Sequence, residues 1–283
     1  MTGVLVTGGT GKTGGALVDL LRDNCVPVRV ASRHPAADDP GAVRFDWSDP
    51  TTHPAALHGV DRVFLVPPVQ SVDPMPSVGP FLAMARRLGV RRVVLLGSAI
   101  VLPDAPGALE LAAQVRASPG WVVLRASGFM QNFLSPHPLG EHIRLHGEIR
   151  TSAGDARVGW IDARDIAASA AALLTGSAAE PDYLLTGPKA LSYRDAAAVI
   201  TAHAGRPVRL VRVDSAEVAA GYRAAGMPAE FAAALAAVED SAGAGGDDQV
   251  STAVLDLTGR PPRTFTGFVQ EHATAWARGR PGR

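Results

Sequence analysis

The chain has 283 residues, 47% of them apolar, and Lys plus Arg and Asp plus Glu each total 27. That is enough apolar material for one large domain or a core domain with a smaller companion, and the even charge excludes the basic excess that nucleic-acid binding requires. No apolar run approaches the roughly 20 residues of a membrane span. The first strand begins too early to leave room for a signal peptide, and Cys25 alone cannot form an internal disulfide. A cytoplasmic protein is expected, with no membrane or nucleic-acid partner.

The short apolar run Val4-Leu5-Val6 ends in Thr7-Gly8-Gly9-Thr10-Gly11-Lys12-Thr13-Gly14-Gly15, and residues 16–21 follow with helical spacing. Strand, glycine turn and helix in that order build a dinucleotide cradle. Small residues let the backbone approach a pyrophosphate, and the free N–H groups and helix dipole meet its charge. Gly8, Thr10, Gly11, Lys12, Thr13 and Gly14 are therefore the expected phosphate contacts. The triphosphate loop suggested by Gly11-Lys12-Thr13 is rejected, because Val6 stands where that loop needs its first glycine.

Further strands are read at residues 26–31, 42–46, 61–66, 91–96, 121–125 and, at a sheet edge, 183–185. Helices are read at 81–88, 109–117, from about 163, and at 193–204, 215–225, 229–238 and 265–277. Residues 243–248 are flexible by composition. Cys25, beside Val26-Pro27, is read as packing. Apolar strands alternating with helices give an α/β, Rossmann-type doubly wound parallel sheet, joined to a smaller, mostly helical substrate-binding region. Residues 1–127 with about 159–187 form the dinucleotide-binding part, and 128–158 with 188–283 the substrate or lid part.

At the end of the second strand Ser32-Arg33-His34 replaces the carboxylate that would bind both ribose hydroxyls of NAD. A guanidinium beside a hydroxyl suits the 2′-phosphate of NADP(H) instead; the alternative is a solvated loop arginine. Asp46 and Trp47 end the third strand, where a carboxylate can accept from the adenine amino group and an indole can flank the ring. Val66, Pro67 and Pro68 make an apolar wall under the cofactor. Ligands of open parallel sheets lie beyond the strands' carboxyl ends, which puts Ser98 and residues 125–127 at the nicotinamide.

Several segments resemble the NmrA-like, atypical short-chain dehydrogenase/reductases. They are Thr7 to Gly14, Arg44-Phe45-Asp46-Trp47, Val63-Phe64-Leu65-Val66-Pro67-Pro68, and Leu124-Arg125-Ala126-Ser127-Gly128-Phe129-Met130-Gln131-Asn132-Phe133. Asp162-Ala163-Arg164-Asp165-Ile166-Ala167, Tyr183 to Pro188, Gly226-Met227-Pro228 and Thr258-Gly259-Arg260-Pro261-Pro262-Arg263 continue the likeness. Within the family the combination looks most like the ergot-alkaloid clavine dehydrogenases, which reduce cyclic iminium ions with NADPH; NADPH:quinone reductases are a looser match. A Lys that relatives often carry before the Trp121 strand is absent here.

Ordinary short-chain reductases protonate a carbonyl oxygen with a Tyr assisted by a Lys four residues on. Tyr183, Tyr193 and Tyr222 are followed at that spacing by Gly187, Ala197 and Gly226. An iminium carbon needs no such acid, since hydride addition gives a neutral amine directly, and a quinone tolerates its loss. The expected activity is hydride transfer from NADPH to a small apolar, electron-poor acceptor, a cyclic iminium in secondary metabolism first. The alternatives are a quinone reductase, a non-catalytic NADP-sensing regulator, and a cyclase or isomerase that keeps the dinucleotide site. Ser98, Phe129 and Asn132 are the candidates at the reacting centre, with Met130, Phe133, Trp160 and Met227 lining the pocket. His142 and His146 have metal-ligand spacing but no third ligand, so no metal is expected. Asp165 is read as a charge favouring its helix dipole. The chain is expected to act as a monomer or homodimer.

Overall fold

The computed structural model describes residues 3–100, 102, 105–176, 181–242 and 248–276. Seven parallel strands form one sheet: β1 (Gly3–Val6), β2 (Val28–Ser32), β3 (Ala42–Arg44), β4 (Val60–Leu65), β5 (Arg92–Ser98), β6 (Val122–Ala126) and, beyond two short strands, β9 (Asp182–Leu185). Their order is β3-β2-β1-β4-β5-β6-β9. The chain reverses direction across the sheet between β1 and β4, which opens a crevice at the carboxyl ends of those two strands.

Successive side chains of a strand point to opposite faces, and both faces of this sheet are covered. Val4, Val6, Phe64, Val94 and Leu124 face one core with Leu17 and Leu21 of α1 (Lys12–Asp23). Leu5, Val63, Leu65, Val93 and Val123 face the other. That second core is closed by α2 (His53–Leu57), α3 (Met75–Arg87) and α4 (Pro106–Arg116). Burial on both faces explains why the strands read as continuous apolar runs.

A third core lies apart from the sheet. Met130, Phe133, Ile143, Ile149, Trp160, Ile200, Phe265 and Trp276 pack there, contributed in part by α5 (Pro138–His146), β7 (Glu148–Thr151) and α7 (Tyr193–Ala204), with the two-residue β8 (Arg157–Val158) and β10 (Leu191–Ser192) beside them, while α6 (Ala163–Thr175) packs its apolar face in the first sheet core. β7 pairs in parallel with β11 (Arg209–Arg212), and β8 antiparallel with β10. The Trp276 indole donates to the Phe133 carbonyl at 2.7 Å. Then come α8 (Ser215–Ala224), α9 (Ala229–Ala242), α10 (Ala253–Thr258) and α11 (Phe265–Glu271).

Several elements differ from the sequence reading. α3 begins at Met75, six residues before the expected start, because Pro76 occupies its first turn, where the missing N–H costs nothing. The third strand stops at Arg44, and α9 continues to Ala242. The last helix breaks at His272, whose ring bonds the Phe268 carbonyl at 2.9 Å, and Ala277 lies outside the described residues. So do 243–247, read as flexible. Cys25 is exposed rather than packed, and closes α1 at φ 57°. α10 lies beyond residue 188 yet packs on α6, with Ala253 and Val254 in the first sheet core.

The sheet and third core are tied through α6. Asp162 caps its N-terminus, accepting from the Arg164 N–H at 2.8 Å and the Gln131 side-chain amide at 3.0 Å. Burial pushes the Asp162 carboxyl up, but the Arg164 guanidinium and these bonds hold it below the usual range. Asp165 does more than favour the dipole: its buried carboxylate accepts from the Arg263 N–H at 2.7 Å and from the Arg263 guanidinium.

Candidate dinucleotide and acceptor site

The crevice at β1 and β4 is organised by Thr7. Its buried hydroxyl accepts from the Val66 N–H at 2.7 Å and lies 3.2 Å from the Phe64 and Val66 carbonyls, locking the two strand ends together. The turn that follows bends back tightly, with Gly11 N–H on the Gly8 carbonyl at 2.9 Å. Gly8, Thr10, Gly11 and Lys12 are exposed, whereas Thr13 and Gly14 are buried beneath them. Gly11 caps α1 without any side-chain bond, and the first turn carries no acidic residue. An uncapped, uncompensated helix start that faces the crevice fits a diphosphate. A Cβ on Gly14 would lie 2.1 Å from the Gly8 carbonyl oxygen, so only glycine permits this close turn.

On the β2 and β3 side, Ser32 is half-buried and its hydroxyl accepts from the His34 N–H at 3.2 Å. Arg33 is exposed and makes no hydrogen bond or ion pair among the described residues, so its guanidinium is available to a phosphate. Asp46 accepts from Ser48, from N–H at 2.9 Å and hydroxyl at 2.7 Å. These bonds, opposed by desolvation and helped by Arg33 and Arg44, hold its carboxyl below the usual range. Trp47 donates its indole N–H to the Val66 carbonyl at 3.2 Å and packs edge-on to Phe45 and Phe81. Pro67 and Pro68 are half-buried behind it. These residues thus gather at one end of the crevice. Arg33→Ala should weaken NADPH binding by roughly 10–100-fold, the worth of a charged hydrogen bond, and leave NADH binding unchanged. Fluorescence titration with both cofactors checks this, and an unaltered preference refutes it.

At the other end, Ser98 ends β5, exposed, its hydroxyl accepting from the Ile100 N–H at 3.0 Å. Phe129 is half-buried, bridged to Ile161. Asn132 is half-buried too, its main chain bonding the Phe129 carbonyl. Met130 and Phe133, expected to line the pocket, are fully buried in the third core, and Trp160 is nearly so. They shape this region from behind. The reason is local: Trp160 lies against Gly128, where a Cβ would come within 2.4 Å of the indole, and Phe133 packs edge-on to Trp160 at 4.9 Å. Met227 is half-buried after α8, its N–H on the Tyr222 carbonyl.

Two residues not weighed for this role stand here. Lys12 Nζ lies 3.4 Å from the Gln131 carbonyl, its pKa lowered by desolvation. His137, whose Nδ1 caps α5 by accepting from the Leu139 N–H at 3.3 Å, is lowered to about 4 by burial and by the Lys12 charge. The His142 and His146 rings do approach to 4.4 Å, but no cluster of three or more candidate ligands occurs among the described residues.

The His137 shift has a definite sign. Below the ordinary value of 6.5 the unfolded chain takes up a proton that the folded chain refuses until about pH 4. Stability is therefore complete above pH 6.5 and is lost as pH falls, by up to about 3 kcal/mol. His137→Asn keeps a capping acceptor and removes the titration. Urea unfolding at pH 4.5 and 7 should show a smaller difference for this variant; an equal difference would exclude His137 as the source.

An open parallel sheet whose first βα turn leaves an uncapped helix start facing the crevice at its switch point defines a dinucleotide-binding α/β protein. No family model matches the chain. The uncharacterized oxidoreductase YesF of Bacillus subtilis (strain 168) is 39% identical over 278 residues, 96% of each chain. Agroclavine dehydrogenase of Claviceps fusiformis is 35% identical over 288 residues, 96% of this chain and 98% of that one. The NADPH-dependent quinone oxidoreductase QOR2 of Escherichia coli, solved with NADPH, shares the fold at TM-score 0.81 and 23% identity, over 95% of this chain and 99% of that one. The chain belongs to the NmrA-like, atypical short-chain dehydrogenase/reductase family that includes the clavine dehydrogenases. It is an oxidoreductase. No helix among the described residues is long and apolar enough to cross a membrane.

Proposed function

We propose that this protein moves hydride from NADPH to a small, largely apolar, electron-poor acceptor, and that the acceptor is a cyclic iminium. The glycine turn and uncapped start of α1 would hold the diphosphate, Arg33 and Ser32 the 2′-phosphate, and Asp46 and Trp47 the adenine. Bound NADPH supplies the hydride. Ser98, Phe129 and Asn132 would border the reacting carbon, and orientation there would supply most of the rate gain.

The observation that carries this reading is the state of the tyrosines. Burial raises Tyr193 and Tyr222 well above the ordinary phenol range, with the nearby Glu239 charge adding to it. A proton-donating Tyr needs the opposite shift. Tyr183, Tyr193 and Tyr222 also lack the Lys four residues on. An acceptor that becomes neutral on hydride addition needs no acid. The identity to a clavine dehydrogenase supports the same class, and the fold shared with a quinone reductase supports a quinone as second choice. We place the enzyme in the cytoplasm, as a monomer or homodimer.

NADPH oxidation, followed by absorbance, should be rapid with a cyclic iminium, slower with a quinone, and at least 100-fold slower with a simple ketone, the general-acid contribution being 10²–10⁴-fold. Turnover with quinone alone moves the second reading ahead. Cofactor binding with no turnover on any acceptor overturns both in favour of a sensor.

A further inference from the structure

A cavity of about 130 Å³ lies between α5, β7, α7, α8 and α9, lined by Leu139, His142, Tyr193, Val218, Tyr222 and Glu239 among others. Its polar end is built around one carboxyl group. Glu239 accepts from the Thr151 hydroxyl at 2.7 Å and the Tyr222 hydroxyl at 2.9 Å, and from the Ser152 main chain. All three donors are neutral. The other charged pair of the lining, Arg150 with Glu217 at 2.7 Å, is matched within itself. Burial pushes the Glu239 carboxyl up, and no cation offsets it.

A second observation points into the same space. His142 also lines the cavity, its Nε2 turned to Glu148 Oε2 at 3.5 Å. Tyr193 is half-buried by its neighbours and its hydroxyl makes no hydrogen bond among the described residues. A half-buried carboxyl beside aromatic side chains, with no countercharge of its own, is the environment that recognises an organic cation. The cavity also neighbours the crevice: His137, which feels the Lys12 charge, packs edge-on to Tyr222 at 6.5 Å.

We propose that this cavity is a recognition site for a small ammonium or iminium cation, its nitrogen seated on Glu239 and its apolar ring against Leu139, Val213 and Val218. The inference rests on the iminium reading above for its natural ligand. Cavities of about 150 Å³ take up a benzene-sized molecule, so the bound ring has about six heavy atoms.

The probe is N-methylpiperidinium, a cation that cannot accept hydride, titrated by calorimetry into the intact protein with cyclohexanone as the neutral counterpart. The amine should bind at least tenfold tighter than the ketone. Glu239→Gln keeps the shape and one acceptor; it should lose at least tenfold in amine affinity and leave ketone binding unchanged. Wild-type protein supplies a readout that needs no variant. Seating a cation lowers the Glu239 pKa, so binding releases up to one proton near the raised free-state value and none well above it. Titrations in buffers of different ionisation enthalpy measure that release. The other titratable groups facing Glu239 are Tyr193, Tyr222, Glu217, Arg150 and His142. Burial raises the two phenols and lowers His142, so neither phenol releases a proton in this range and His142 would take one up only on acidification. Equal binding of amine and ketone, an unaffected Glu239→Gln, or no proton release overturns the proposal. Hydride transfer is assayed separately. Cation binding without iminium turnover leaves the pocket standing and removes the iminium-reductase reading, and iminium turnover without cation preference does the reverse.

Discussion

Gly14→Ala should abolish measurable NADPH binding and lower stability by about 3 kcal/mol, at or above the upper end of the usual cost of overpacking. The added Cβ would lie 2.1 Å from the Gly8 oxygen, 2.8 Å from its carbonyl carbon and 3.0 Å from the Gly9 Cα. All three are backbone atoms, so no side chain can rotate to make room. Relief requires the first turn of α1 to move away from β1. Leu17, Val18 and Leu21 resist, because they are buried in the core that β1 and α6 share. The displaced turn would also carry off the N–H groups that meet the diphosphate. Gly15→Ala is the matched control. Its nearest neighbour, the Gly9 oxygen, is 3.8 Å away, and Ala at this helical position should add roughly 0.5–1 kcal/mol. Thermal melts and NADPH titrations of the pair decide the matter. NADPH affinity of Gly14→Ala within threefold of the parent would mean that the turn does not hold the cofactor.

The contrast between these two glycines marks how far the sequence could be read. The spacing of Gly8, Gly11 and Gly14 after an apolar run announces the turn, because close approach leaves a compositional mark. That Arg33, Asp46 and Trp47 follow strand ends was legible for a related reason, because the strands they follow read plainly as apolar runs. The short strands β7, β8, β10 and β11 left no such mark. They have two to four residues and pair with segments far along the chain. Met130, Phe133 and Trp160 were legible as apolar but not as core, since an apolar residue looks the same in either place until its neighbours are known. Glu239 is the extreme case. It continues, half-buried and at helical spacing, the stripe of α9 that Ala232 and Ala236 bury, yet its meaning comes from Thr151, 88 residues away, and Tyr222.

Asp165→Ala should cost about 3 kcal/mol, the lower end for breaking a buried charged pair, and lower the melting temperature by roughly 6–12 °C. Asp165 is buried, and it accepts from both the main-chain N–H and the guanidinium of Arg263, 98 residues on. Removing the carboxylate strands an N–H in the segment that joins α10 to α11. The guanidinium suffers less, because the Arg263 side chain is 44% exposed and can turn to water. This asymmetry orders the variants. Asp165→Asn keeps an acceptor for the N–H and should cost less than Ala. Arg263→Ala keeps the N–H bond to Asp165 and should cost about 1–2 kcal/mol, since only the side-chain contact is lost. The pair fastens the C-terminal segment to the same helix that Asp162 and Gln131 tie to the crevice. A loosened Asp165 should therefore raise the KM for acceptor and also weaken NADPH binding, because Lys12 of the glycine turn reaches the Gln131 carbonyl and Gln131 holds Asp162 at the same end of α6. Denaturation and steady-state kinetics on the three variants test the ordering, and equal losses for Asp165→Asn and Asp165→Ala would show that the stranded N–H is not the main term.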